Sequence, residues 1–183
     1  ATRLTGSGLS ITEWKPVTGA IPPLSAADWE EAFAKYRDTT QFREMNPDIS
    51  LGDFKFLYGW EWAHRQLGRL IGVLFAIGFI AFWATGRLTG RFWSCLLLLV
   101  LGGLQGAIGW WMVQSGLETR VSVSQYRLAI HLGTAIILLG AMVWTALEYL
   151  RGEGRPADAR RGYALVVLIY VQMLLGALVA GLP

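Results

Sequence analysis

The sequence has few residues that could form a disulfide or a conventional metal site. Cys95 is its one cysteine, so no disulfide can form within the chain, and His64 and His131 are its two histidines. A zinc site takes three or four protein ligands, and only Glu61 stands near a histidine as a further donor. This scarcity disfavours both a disulfide-stabilised fold and a zinc site.

Charged residues are also scarce, at 16% of the 183 residues, whereas 54% are hydrophobic and the mean hydropathy is +0.41. This composition is too apolar for an ordinary soluble domain. The net charge of +3 does not indicate nucleic acid, because the basic residues lie in short loops between apolar runs. We therefore expect membrane lipid, and no nucleic acid, to surround the chain.

Four apolar runs are long enough to cross a hydrocarbon core of about 30 Å, which takes about 20 helical residues. Because lipid offers the backbone no hydrogen-bond partners, these runs should be helices. The predicted fold class is all-α, a polytopic membrane helical bundle with four visible transmembrane helices and an N-terminal extramembrane loop region. The four runs are Gln66–Thr85, Phe92–Gln114, Leu128–Leu150 and Tyr163–Leu182.

The connecting loops predict the orientation of the spans. Arginine exceeds acidic residues in the loops Gly86–Arg91 and Arg151–Gly162, which lie on one face because two spans separate them. An excess of arginine marks the cytoplasmic face. The loop Ser115–Arg127 and the residues before Trp60 should then lie outside.

We predict three parts. Residues 1–60 form an extracytoplasmic loop region, 61–162 three transmembrane helices of an N-terminal half, and 163–183 the first helix of a second, otherwise absent half. A short helix is expected from Ala26 to about Arg37, capped by Ser25. Its apolar stripe, expected to face the membrane surface or the spans, consists of Trp29, Phe33 and Tyr36.

Ionisable residues cluster at the outer end of the first span. Glu61, His64 and Arg65 are spaced i, i+3 and i+4, which places them on one helical face. His131 lies about one turn into the third span, at a similar predicted depth. A lone histidine at a helix end is more often a satisfied polar group than a ligand, but two at matched depth favour ligation.

Haem iron needs only one or two axial ligands, together with space for a flat macrocycle and cations for its propionates. Gly68 and Gly72 follow His64 at spacings of four and predict a groove beside the imidazole. Close helix packing through small residues explains these glycines equally well. The candidate cations are Arg65, Arg69 and Arg127.

Glu61 has two readings that its spacing leaves open. An oxidising site needs a proton acceptor or a group that stabilises developing positive charge, whereas a purely electron-carrying haem does not. The alternative is an ion pair with Arg65 at i+4.

Four stretches together resemble haem A synthase in its proteobacterial and mitochondrial form. Two of them contain the E-x-x-H-R element with Glu61 and His64 and the Q-Y-R-L-x-x-H element with His131. The resemblance covers nearly the whole chain. The stretches are TRLTGSGLSITEWKPVTGAIPP (2–23), WEWAHRQLGR (60–69), LGGLQGAIGWWMVQSGL (101–117) and SQYRLAIHLGTA (124–135).

The resemblance implies an eight-span enzyme made of two four-helix halves, of which this chain would supply spans two to five. His64 and His131 would be axial ligands of the substrate, haem O, and Glu61 would be the catalytic carboxylate. The methyl group of haem O would be hydroxylated twice and lose water to give the formyl group of haem A. A haem B cofactor would belong to the absent half.

The resemblance also suggests partners and a location. We expect a multi-pass protein of the bacterial plasma membrane rather than the mitochondrial inner membrane, a homo-oligomer, served by haem O synthase and an electron donor. Both ends of the sequence look cut, so we expect residues 1–183 alone to have weak or no activity.

Two other functions remain open. A membrane b-type cytochrome would bind haem and carry electrons, and its function would survive Glu61→Ala. A non-catalytic structural or assembly subunit would keep the scaffold without haem; the intact His64 and His131 count against it.

Overall fold

The computed structural model describes residues 2–118, 120–151, 159–180 and 182. The chain is 77% helical and has no strands within these ranges, which confirms the all-α fold class. A 3-10 turn covers Thr18–Ala20. The helices are α1 (Thr2–Thr5), α2 (Ala26–Arg37), α3 (Thr40–Met45), α4 (Leu51–Ala84), α5 (Phe92–Leu117), α6 (Gln125–Arg151) and α7 (Ala159–Ala180).

Four of the described helices are long and apolar enough to cross a membrane. They confirm the predicted number of spans and a membrane protein. The candidate spans are Leu51–Ala84, Phe92–Leu117, Gln125–Leu150 and Gly162–Ala180.

Helix α4 begins at Leu51, well before the predicted first span at Gln66. Ser50 and Asp53 explain this start, because they form a reciprocal cap. The Ser50 hydroxyl accepts from the Asp53 N–H at 3.1 Å, and the Asp53 carboxylate accepts from the Ser50 N–H at 3.2 Å. The sequence-based span missed this polar first part of the helix because its hydropathy is low.

The chain folds as two compact units. Unit 1 comprises Ala1–Leu74 and Gly109–Ser124, and unit 2 comprises Phe75–Ile108 and Gln125–Leu182. Helices α4 and α5 therefore contribute residues to both units.

Aromatic side chains form the core of unit 1. Phe54 of α4 stacks on Phe33 and Tyr36 of α2, with ring centroids 4.9 and 5.3 Å apart, and all three are buried. Trp29 meets Phe54 edge to face at 6.4 Å. The predicted apolar stripe of α2 thus packs on the first turns of α4.

The cap predicted for α2 is confirmed. The Ser25 hydroxyl accepts from the Asp28 N–H at 3.1 Å, and the Asp28 carboxylate accepts from the Ser25 N–H at 3.0 Å. This capping box fixes the start of α2 and so places its aromatic stripe.

In unit 2, a tight connection joins α4 to α5, and α6 packs closely on α7. Gly86 and Gly90 take positive φ values of 71° and 78° in the connection, which side chains with a Cβ rarely adopt. Gly133 of α6 lies so close to α7 that an added Cβ would stand 2.8 Å from Leu174 Cδ2 and 3.0 Å from the Tyr170 hydroxyl.

Most of the second predicted cytoplasmic loop, residues 152–158, lies outside the described residues. The sidedness of the loops and the division into 1–60, 61–162 and 163–183 stay predictions.

Candidate functional site

Glu61 of α4 is enclosed, with only 3% of its surface exposed. Its Oε2 accepts hydrogen bonds from Ser10 Oγ at 2.7 Å and from the Ile11 N–H at 2.9 Å. Its Oε1 accepts from Arg65 at 2.7 Å, which forms the i,i+4 ion pair considered from the sequence. All three partners donate, so a carboxylate satisfies this site and a neutral amide would not.

Arg65 extends the attachment to the backbone of residues 10–20, called here the anchored segment. It donates to the carbonyl oxygens of Ile11 at 3.0 Å and Glu13 at 3.2 Å. Its guanidinium also lies 5.6 Å from the ring centroid of Trp110, a cation–π distance. Arg65 therefore fixes the path of the anchored segment as well as pairing with Glu61.

Arg69 and Gln66 continue the attachment one turn along α4. Arg69 donates to the carbonyl oxygens of Pro16 at 2.8 Å and Lys15 at 2.9 Å. Gln66 donates to the carbonyl oxygen of Ala20 at 3.1 Å. The polar residues of α4 from Glu61 to Arg69 thus bind a length of loop backbone, a use that spacing along the sequence could not reveal.

His64 lies on the same helix, but its side chain is exposed and makes none of these contacts with the anchored segment. Gly68 and Gly72 are also exposed, and a Cβ built at either would meet no described atom within 4 Å. The surface predicted beside the imidazole is therefore open within unit 1. Gly59 of α4 is equally open, so open space alone does not single out this surface.

His131, half-buried on α6, has a neutral polar partner in unit 2. Gln105 of α5 places its Nε2 2.7 Å from the His131 carbonyl oxygen, to which it donates, and 3.1 Å from Nδ1 of the imidazole. The Thr134 hydroxyl donates to Gln105 Oε1 at 2.7 Å. Arg127 lies in the first turn of α6, half-buried.

Residues 1–183 match the model of the family described as cytochrome oxidase assembly protein. The chain belongs to this family. Three relatives are each called haem A synthase. The chain is 54% identical to that of Maricaulis maris over 99% of this chain and 54% of the relative. Identity is 55% for Paracoccus denitrificans (100% and 51% covered) and 56% for Methylobacterium radiotolerans (99% and 51%).

The chain spans about half the length of these curated relatives. No solved structure is significantly similar to it.

This cytochrome oxidase assembly family member also has a cavity of about 290 Å³ in unit 1, between the anchored segment, α2 and α4. Charges of both signs line it, and several pair with each other. Glu13, for example, lies 2.9 Å from Lys35 and 3.0 Å from Lys15. A cavity of this size and polarity does not suit a haem.

The ion pairs of this cavity shift the titration of their members. Hydrogen bonds from Lys35 and then Lys15 lower the pKa of Glu13. Hydrogen bonds to Glu31 and Glu13 raise the pKa of Lys35. Both shifts favour the charged forms, so the pairs add to the attachment of the anchored segment to α2.

Sequence reasoning missed Ser10, Ile11 and Gln105 as parts of these polar sites. A lone amide inside an apolar run was the available signal for Gln105, because such a group needs a partner in a membrane. No sequence signal indicated Ile11, since its backbone is the group in use. Within the described ranges, no three His, Cys, Asp or Glu residues cluster as a metal site.

Proposed function

We propose that this protein acts as a haem A synthase that takes haem O as substrate and oxidises one of its methyl groups to a formyl group. The observation that carries the proposal is the similarity over nearly the whole chain to relatives named haem A synthase. The fit of the residues adds support. His64 offers an exposed imidazole beside the open surface of Gly68 and Gly72, as a flat macrocycle requires.

In this proposal His64 and His131 are the axial ligands of haem O. Imidazole is a common haem ligand, and neither histidine has a competing cluster of metal-binding side chains among the described residues. Arg127 and Arg65 supply positive charge for the propionates. The contacts of Arg65 with the anchored segment hold its guanidinium in place for that role.

The substrate chemistry is a four-electron oxidation of one methyl carbon: two hydroxylations, each taking its oxygen atom from an external oxidant, would give a geminal diol, which loses water to leave the formyl group. The proposed system also includes a haem B in a second half, an electron donor, haem O synthase and a second copy of the chain. The proposed location is the bacterial plasma membrane, with α4 starting outside; the bacterial relatives and the four candidate spans support it.

Glu61 is the proposed catalytic carboxylate, one turn from His64. Its charge is held by Ser10, Ile11 and Arg65, and this arrangement supports a role in stabilising positive charge that develops on the substrate. The same contacts favour a second candidate function. If Glu61 serves only to bind the anchored segment, its presence does not require a catalytic role. The protein could then be a membrane b-type cytochrome that carries electrons.

Ser10→Ala separates these two functions of Glu61. It removes one hydrogen bond from the carboxylate but leaves the carboxylate and Arg65 in place. In a synthase, Glu61→Ala abolishes haem A formation and Ser10→Ala retains most of it. If Glu61→Ala and Ser10→Ala lose equal fractions of haem A formation and both release the anchored segment, Glu61 serves for anchoring alone.

The direct test is acid–acetone extraction of pigment from the protein purified from membranes, followed by chromatography beside haems B, O and A. Haem O or A in the wild type, lost in His64→Ala and His131→Ala, supports the proposal. Leu67→Ala, an exposed position on the same helix, is the matched control and should keep the pigment. Haem B alone would favour the carrier, and absence of haem would favour a structural subunit.

A further inference from the structure

We propose that the stretch from Trp14 to Leu24, which overlaps the anchored segment, lies in the membrane interface and places its exposed apolar side chains in lipid. The membrane interface is the boundary between the hydrocarbon core and the aqueous phase. The partner of this surface is therefore the lipid of the surrounding bilayer. The inference goes beyond the proposed function and does not depend on the haem chemistry.

The depth of this stretch follows from the residues of α4 that bind it. The apolar run of α4 begins at Gln66, and about 20 helical residues cross a hydrocarbon core. Gln66 and Arg69 therefore lie at the edge of the hydrocarbon core. Arg69 donates to the carbonyl oxygens of Lys15 and Pro16, and Gln66 donates to that of Ala20. These bonds hold the stretch at the same depth.

The backbone of the stretch is bonded in the way that a membrane requires. Lipid offers no hydrogen-bond partners, so an irregular loop at membrane depth must bond its carbonyl oxygens within the protein. The Val17 carbonyl oxygen accepts from the Ala20 N–H at 3.1 Å, and that of Thr18 accepts from the Ile21 N–H at 3.4 Å. With the three acceptors bound by α4, five carbonyl oxygens between residues 15 and 20 are bonded within the protein. A loop in bulk water does not require this, because water would serve as the donor.

Several apolar side chains of the same stretch are exposed. Val17, Ile21 and Leu24 are 81%, 66% and 78% exposed and are called here the apolar patch. Trp14 is 42% exposed, and tryptophan is enriched at membrane–water interfaces. Lys15 is exposed as well, and a lysine at this depth can extend its ammonium to the lipid headgroups. The apolar patch is unfavourable in water and favourable in lipid, so its chemistry matches the surroundings at its depth.

The apolar stripe of α2 is the other surface that the sequence offered for contact with the membrane. Phe33 and Tyr36 of this stripe are buried against Phe54, so they are not available to lipid. The apolar patch is exposed, and its backbone is bound to the start of the apolar run of α4. The patch is therefore continuous with the part of α4 that enters the membrane, whereas α2 is not in contact with lipid through its stripe.

The experiment places a nitroxide spin label at residue 21 of the protein, purified from membranes and reconstituted into vesicles of phosphatidylcholine and phosphatidylglycerol. Ile21→Cys is combined with Cys95→Ser, which removes the one native cysteine. Electron paramagnetic resonance measures how often the nitroxide collides with oxygen, which concentrates in lipid, and with a water-soluble nickel chelate. Met45→Cys is the matched control, because Met45 is 61% exposed at the end of α3 in the same unit.

We expect the ratio of oxygen to nickel collisions to be several-fold higher for Ile21→Cys than for Met45→Cys. Val17→Cys provides a second labelled position with the same expected result. Arg69→Leu, added to Ile21→Cys, should lower the ratio, because it removes two of the bonds that hold the stretch at its depth.

Equal ratios for Ile21→Cys and Met45→Cys would overturn the proposal, since the apolar patch would then lie in water. Few collisions with either reagent at residues 17 and 21 would also overturn it, because a second copy of the chain or another protein would then cover the patch. An unchanged ratio after Arg69→Leu would overturn the part of the proposal in which α4 sets the depth of the stretch.

Discussion

Two polar sites on the long helices bind their partners in different ways. In unit 1, Glu61 and Arg65 use charge to hold the backbone of the anchored segment, through contacts of 2.7 to 3.2 Å. In unit 2, Gln105 uses a neutral amide to hold His131 and Thr134 of the neighbouring helix. The first site binds loop backbone to a helix, and the second binds helix to helix.

The difference follows from the surroundings of each site. A loop brings many backbone donors and acceptors, and charged side chains can satisfy them while pairing with each other. Between apolar helices, the backbone is already bonded within each helix, so one amide that both donates and accepts is enough. The charged site is therefore sensitive to loss of a partner, whereas the neutral site should be sensitive to shape and orientation.

Of the substitutions that test the difference between the two sites, Glu61→Ala should reduce the free energy of unfolding most. It removes the carboxylate that accepts from Arg65, the Ser10 hydroxyl and the Ile11 N–H, and leaves Arg65 in a largely enclosed site with only carbonyl oxygens as acceptors. Removal of one partner from a buried ion pair typically costs ~3 kcal/mol or more, and we expect a loss of about that size in unfolding free energy. Denaturant unfolding in detergent measures it. Glu44→Ala, at an exposed position, should cost less than ~0.5 kcal/mol; equal losses would contradict the anchoring role.

Gly116→Ala tests packing on the N-terminal residues of the same unit. An added Cβ would lie 2.6 and 2.8 Å from the methyl carbons of buried Leu9 and 3.2 Å from the Ser122 backbone. Overpacking of this kind costs ~1–3 kcal/mol, so the thermal midpoint should fall. Gly106→Ala on the same helix meets open space and should leave the midpoint unchanged or higher.

Gly133→Ala is the corresponding change in unit 2, with a smaller expected effect. The added methyl would meet Leu174 and Tyr170 of α7, whose contacting atoms are the ends of side chains that can shift. We expect a loss of ~1 kcal/mol in unfolding free energy, partly offset by the helix propensity of alanine. Gly140→Ala on α6 is the control, since its Cβ meets nothing within 4 Å. If Gly133→Ala instead raised the free energy of unfolding, the Leu174 and Tyr170 side chains of α7 would have moved away from the added methyl group without cost.

Acidification should weaken the attachment of the anchored segment slightly, through Glu13. Hydrogen bonds from Lys35 and Lys15 lower the pKa of Glu13 below its usual 4.5, so its contribution is present above that value and is lost as pH falls through the folded pKa. The carboxyl is 44% exposed, which limits the effect to ~0.5 kcal/mol or less.

Thermal midpoints of wild type and Glu13→Gln, followed from neutral pH to below 4.5, measure this difference. The difference in thermal midpoint between wild type and Glu13→Gln should become smaller as the pH falls. Asp48→Asn, which removes an exposed carboxyl, should show no such pH-dependent difference from wild type. A constant difference for Glu13→Gln would contradict the role of the Glu13 charge.

Much of the fold could be predicted because the lipid interior of a membrane permits few backbone structures. Apolar runs of sufficient length must be helical in lipid, and the four candidate spans appear where the runs predicted them. The cap of α2 was also readable, since Ser25 and Asp28 act on backbone within the same turn. The start of α4 at Leu51 was missed because its first turns are polar and fall outside an apolar run, although Ser50 and Asp53 form a local cap of the same kind there.

The candidate site divides in the same way. The sequence by itself determined the number and type of the helices and the one face that carries His64, Gly68 and Gly72, and it offered the pairing of Glu61 with Arg65 as one of two readings. Local spacing sets all of these. Only the tertiary structure decided that Glu61 binds Ser10 and Ile11, and that Gln105 meets His131. Those partners are far apart along the chain, and only folding of the loop and helices brings their donors and acceptors within hydrogen-bond distance.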